Sequence, residues 1–153
     1  MPTNWLNENE QTAWRNFITT LPDLNAAFET DLAAHGITMG DYVVLVFLSE
    51  APEQRMRMCD LAAALRLSPS GLTRRLDGMV KAGWVDRASC SSDRRVMYAH
   101  LTAAGRKKMN AAAPDHVESV RRHFIGPLGD DGVQQLSELF SLIRDHLHSM
   151  QPA

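Results

Sequence analysis

The stretch that decides the fold is residues 60–101, DLAAALRLSPSGLTRRLDGMVKAGWVDRASCSSDRRVMYAHL. Asp60 to Leu65 has the composition of a short helix, Leu67-Ser68-Pro69 that of a turn, and Ser68 to Ala82 that of a second helix. Ser68 supplies a side-chain oxygen at the cap, and Pro69 stands at the first helical position, where a missing N–H costs nothing. Leu72, Leu76, Met79 and Val80 recur at helical spacing and define an inward face. Ser70, Gly71, Thr73, Arg74, Arg75 and Asp77 are left outside or at its margins, and Gly83 stops the helix. Trp84–Ala88 and Val96–Leu101 are β-rich runs joined by the polar segment Ser89–Arg95, a hairpin with an arginine-tipped loop. Two short helices around a tight turn followed by a two-stranded hairpin make a winged helix-turn-helix, a unit whose second helix enters the major groove of a duplex.

Working outward, Asn7–Ala34 carries Trp14, Phe17, Ile18, Leu21, Leu24, Phe28 and Leu32 at spacings of three and four, the stripe of a long helix. Pro22 within it predicts a kink near Thr19–Leu21. His35 and Gly36 end it, and Thr38 caps a helix that stops near Ala51-Pro52, followed by a polar loop. Downstream, Thr102 caps a helix running to about His123 or Phe124, with Pro114 a second position for a kink. Val133, Leu136, Leu139, Phe140, Ile143 and Leu147 form a last stripe that requires burial. The chain is therefore mainly α with a small β-hairpin wing, and it divides into flanking helices at 1–36 and 110–153 around a winged module at 37–109.

Length and composition agree. A chain of 153 residues, 44% hydrophobic, can bury a core. Its formal charge of -2 conceals a segregation: Arg55–Lys108 holds twelve bases against four acids, +8, and the remainder is -10. A basic middle between acidic ends suits a polyanion-binding module on a separate scaffold, although a solvated basic face without a partner has the same signature. The apolar run Tyr42–Leu48 is far below the ~20 residues of a membrane span. Two cysteines without CxxC spacing and no leader-like start point to a reducing cytoplasm.

Arg74 has the planar fork that can bridge guanine O6 and N7, and small Ser70 and Gly71 permit close approach to base edges. Arg75, Lys81 and Arg87 are placed to neutralise phosphates. Asp93-Arg94-Arg95 followed by Leu101-Thr102 and Gly105, after Asp60-Leu61-Ala62, Leu67-Ser68-Pro69-Ser70, Thr73-Arg74 and Lys81-Ala82-Gly83-Trp84-Val85, resembles the MarR family of bacterial transcription regulators. The resemblance covers Thr38–Met109 in detail and the remainder by helix order. It implies a homodimer with intertwined terminal helices, and a double-stranded pseudo-palindromic operator with half-sites about 10 bp apart. It further implies that Arg95 enters the minor groove while the Asp93 carboxylate orients it and Arg94 touches phosphate. A small, often phenolic or otherwise aromatic effector that releases DNA is implied too, with Trp14, Phe17, His35, Tyr42 and Met58 as candidate lining residues; aromatic and Met side chains at helical spacing equally suit a core.

Other readings stay in view. Cys90, beside Arg87, Arg94 and Arg95, and Cys59, near a helix start, could favour thiolate and carry a redox response; buried or inert thiols are the alternative. His116 and His123 are seven apart, and His146 and His148 at i, i+2 do not face each other, so no metal or other cofactor is expected. A winged helix can also serve protein contact. An enzyme would need a nucleophile elbow, a P-loop or a G-x-G-x-x-G turn, none of which the sequence contains.

Overall fold

The computed structural model describes residues 3–89, 93 and 95–150. In chain order the elements are α1 (Glu8–Ala33), α2 (Met39–Glu50), β1 (Arg55–Arg57), α3 (Met58–Ala64), α4 (Pro69–Lys81), β2 (Val85–Ser89), β3 (Met97–Leu101), α5 (Ala103–Val120) and α6 (Gly126–Ser149). A 3₁₀ turn at Pro52–Gln54 precedes β1, and a π-helical turn at Arg121–Ile125 joins α5 to α6.

The chain forms two compact units. One spans Phe28–His116; the other combines the residues through Ala27 with those from Val117 onward. The divisions fall inside α1 and α5, because the last turn of α1 and the first turns of α5 supply the winged unit's core. Leu32 and Ala112 are fully buried there with Val44, Leu45, Leu48, Leu61, Leu72, Leu76, Val85 and Ala99. The winged unit thus takes in more chain than the expected span 37–109.

Local chemistry sets the helix ends. Asn7 caps α1 reciprocally with Glu10: the Glu10 N–H donates to Asn7 Oδ1 at 2.9 Å, and the Asn7 N–H donates to Glu10 Oε2 at 2.8 Å. Thr38 Oγ1 accepts from the Asp41 N–H at 3.1 Å, and Ser68 Oγ from the Gly71 N–H at 3.1 Å. At the end of α4, Gly83 at φ 74° lets its own N–H reach Val80 O and the Trp84 N–H reach Met79 O, each at 2.9 Å. That pair of bonds is a Schellman stop.

The structure corrects several expectations. The wing is three-stranded, antiparallel in order β1-β3-β2: Met56 pairs with Ala99, and Arg87 with the same residue from the other side. Residues 55–57 were expected in a loop, and only pairing with β3 makes them a strand. Val80, assigned inward, is 38% exposed, since its place at the rim of the α4 stripe falls beyond the core. α1 continues through Pro22 as one helix; Ile18, whose carbonyl Pro22 cannot bond, lies on an exposed stretch where water can take over. α5 likewise contains Pro114. Regular α-helical geometry is also interrupted at the π turn and at Gly129, whose φ of 62° is left-handed.

Candidate nucleic-acid interface

α4 presents Ser70, Thr73, Arg74 and Asp77 at i, i+3, i+4 and i+7, all exposed and on one face. Leu72, Leu76 and Met79 anchor the opposite face in the core. Pro69 is exposed in the first turn of α4, and Gly71 is half-buried beside the Ser68 cap, where a Cβ would stand 3.1 Å from Ser68 Oγ. Thr73 Oγ1 donates to the Pro69 carbonyl at 2.9 Å, so its methyl joins the Ser70 side chain and the Arg74 guanidinium as the groups this face offers to a groove.

In the wing, Asp93 holds Arg95 by three donors. The Arg95 N–H and Nε reach Oδ1 at 3.0 and 3.2 Å, and Nη2 reaches Oδ2 at 3.5 Å. The backbone N–H of Arg95, then its side chain, push the Asp93 carboxyl below the ordinary carboxylate range. The Arg95 side chain remains 91% exposed: oriented, yet open to a partner. Arg94 and Cys90 lie outside the described residues.

Two of the expected phosphate contacts are engaged within the domain. Arg75 Nη1 lies 3.4 Å from Asp41 Oδ1, with its guanidinium packed over Gly40, where a Cβ would displace it. Arg87 departs further from expectation: Nη2 donates at 2.8 Å both to the Thr73 carbonyl and to Asp77 Oδ1. Sequence reasoning missed this tie because it forms only when β2 folds back against α4, bringing Arg87 to residues ten and fourteen positions earlier. Lys81 stays exposed at the last turn of α4.

The L-T-x-x-G segment gains a physical role. The Thr102 hydroxyl donates to the Gly83 carbonyl at 2.6 Å and accepts from the Gly105 N–H at 3.0 Å, while the Thr102 N–H donates to Trp84 O at 3.1 Å. Gly105 passes so close to the Trp84 carbonyl that a Cβ would collide with it. The start of α5 is thereby docked on the end of the recognition helix. Lys108 extends the joint, lying 5.3 Å above the Trp84 ring and donating to His35 O at 2.9 Å.

Of the candidate effector residues, Trp14 and Phe17 belong to the unit of terminal helices, and His35, Tyr42 and Met58 to the winged unit. Trp14 and Phe17 stack at 6.0 Å, and Phe17 also meets Phe140 at 6.1 Å. In the winged unit His35 pairs with Asp115 at 2.7 Å, and buried Tyr42 packs 4.7 Å from the ring of His116. Phe28 meets the same imidazole edge-on at 5.7 Å. Burial lowers the His116 pKa and raises that of Tyr42. Met58 sits elsewhere, lining a cavity of about 350 Å³ with Arg57, Cys59, Arg95, Val96 and Met97. Cys59 is exposed, its Sγ 3.4 Å from Asp60 Oδ1.

A capped recognition helix, a wing with an outward arginine and the joint that fixes them to one core define a winged helix-turn-helix transcription regulator. The MarR family model matches residues 37–97. AbsC, a MarR-family transcriptional regulator from Streptomyces coelicolor, is 42% identical and superposes with a TM-score of 0.90 over 97% of this chain and 100% of that one. A second Streptomyces coelicolor member, solved in complex with DNA, is 31% identical with a TM-score of 0.89 over 99% and 94% of the two chains. The HTH-type transcriptional repressor YetL of Bacillus subtilis is 26% identical over 76% of this chain and 72% of its own. The chain belongs to the MarR family, whose members are DNA-binding transcription regulators and not enzymes. No helix among the described residues is long and apolar enough to cross a membrane.

Proposed function

We propose that this protein is a homodimeric, cytoplasmic repressor that binds a pseudo-palindromic operator in double-stranded DNA and releases it when a small aromatic or phenolic effector binds. The observation that carries the reading is Arg95, 91% exposed yet held at three points by Asp93. A guanidinium oriented before contact suits the narrow, strongly negative minor groove of A·T-rich DNA. Ser70, Thr73 and Arg74 read base edges from the major groove, with Ser68, Pro69 and Gly71 setting the helix entry.

Dimerisation rests on apolar side chains left open in the single chain, Trp14, Phe17 and Leu21 of α1 and Leu139, Phe140 and Ile143 of α6. Residues 1–36 and 110–153 serve that assembly, and 37–109 serve DNA. Repression follows the role of the relative YetL, a transcriptional repressor. Effector release draws on His35 and Tyr42, both partnered by neighbouring residues of α5. The test is a gel-shift titration on the DNA upstream of the protein's own gene. Arg95→Ala loses specific binding while the protein stays folded, and Arg74→Ala costs ~1–3 kcal/mol and relaxes preference at one position per half-site. Unchanged affinity in Arg95→Ala overturns the wing assignment.

A further inference from the structure

Arg87 was expected to touch phosphate, and its surroundings assign it other work. Alternation along β2 places buried Val85 and half-buried Arg87 on the sheet face toward α4, with Asp86 outside. Arg87 is held mid-strand by its register with Ala99 of β3. Both hydrogens of Nη2 are engaged, one with the Thr73 carbonyl and one with Asp77 Oδ1, each at 2.8 Å. The side chain is only 25% exposed. Its Nε is buried, with no partner among the described residues.

The two acceptors sit at telling positions. Thr73 is in the middle of the face that carries Ser70 and Arg74, and Asp77 lies one turn beyond Thr73 on the same face. An uncompensated carboxylate there would stand toward the phosphates of a bound duplex and repel them. We propose that Arg87 is a positioning residue for base reading: a strut from β2 that fixes the rotation of α4 about its axis and neutralises Asp77. Its charge is thus internal to the domain. This rests on the DNA reading above, and it adds a specificity determinant that touches no base.

The experiment uses the full-length protein, a duplex enriched from a random-sequence pool by the wild type, and an unrelated duplex of equal length. Arg87→Ala lowers affinity for the enriched duplex about tenfold, a coupling typical of side chains sharing one network. It lowers affinity for the unrelated duplex by a smaller factor, through the unpaired Asp77 carboxylate alone, and leaves the number of phosphate contacts read from the salt slope unchanged. Asp77→Asn lowers the enriched-to-unrelated ratio in the same direction, and the double variant loses less than the two singles combined. Arg87→Lys does not rescue, because a point charge lacks the guanidinium fork. Equal loss on both duplexes with a salt slope smaller by about one, or full rescue by Lys, identifies a phosphate contact and overturns the proposal. If the wild type enriches no sequence, the DNA reading itself fails. The strut is then decided without DNA by deuterium exchange: amides of 73–77 exchange several-fold faster in Arg87→Ala, and unchanged exchange overturns it.

Discussion

Gly105→Ala tests whether the joint between α4 and α5 is as tight as its geometry indicates, because two effects compete with opposite signs. Helix propensity alone favours Ala over Gly by up to ~1 kcal/mol, so an unconstrained site becomes more stable. At Gly105 the added Cβ meets the Trp84 carbonyl oxygen, and Leu101 Cδ1 lies 2.9 Å away. The first obstacle is backbone and cannot rotate aside. α5 must then retreat from Trp84, straining the Thr102 bonds to Trp84 O at 3.1 Å and Gly83 O at 2.6 Å. Overpacking costs ~1–3 kcal/mol, and each weakened hydrogen bond up to ~1 kcal/mol. The net is a loss of about 2–3 kcal/mol, a fall in Tm of roughly 4–12 °C for a chain of this size. Urea unfolding followed by tryptophan fluorescence measures it. Gly78→Ala is the internal control, since nothing lies within 4 Å of its Cβ position in α4 and the variant should gain stability. If Gly105→Ala also gains stability, the close approach is not a constraint and the role given to L-T-x-x-G fails.

Truncation after Gly132 removes Leu139, Phe140, Ile143 and Leu147 and abolishes dimerisation; a sedimentation profile identical to wild type refutes the assembly role of α6. Burial lowers the His116 pKa, so the unfolded chain takes up a proton there before the folded one does. Stability contributed at His116 is therefore full above the ordinary histidine range, falls as pH drops through that range toward the lowered folded value, and levels below it. Tm measured between pH 8 and 5 should show a shallower acid-side decline in His116→Gln than in wild type; parallel curves would exclude His116 as the source.

Much of the fold was legible because the signals were local. Ser68 with Pro69 fixes the entry to α4, Gly83 its exit, and Thr38 and Thr102 the starts of the helices they cap. Each acts through bonds to residues within a turn. What escaped was long-range. Arg55-Met56-Arg57 has no strand pattern and becomes β1 only by pairing with residues 98–100 of β3. The same limit applies to Arg87, whose partners on α4 are ten and fourteen residues away in sequence. Local composition marks it as a surface cation, and only β2 packing against α4 turns it inward. Asp93 and Arg95 were legible as a pair because a single residue separates them and one carboxylate can reach both a backbone and a side-chain donor.

That pair has a kinetic consequence. Asp93 and Arg95 together carry no net charge, so beyond a Debye length of ~8 Å they present a dipole and add little to the pull that draws a polyanion inward. Long-range attraction falls to the other bases of the central segment, while the wing arginine acts after arrival. Its cost of ordering, part of the ~2 kcal/mol of rotamer entropy an arginine carries, is already met in the free protein. Changes at Asp93 should therefore register in how long a complex lasts and leave the rate of encounter nearly untouched.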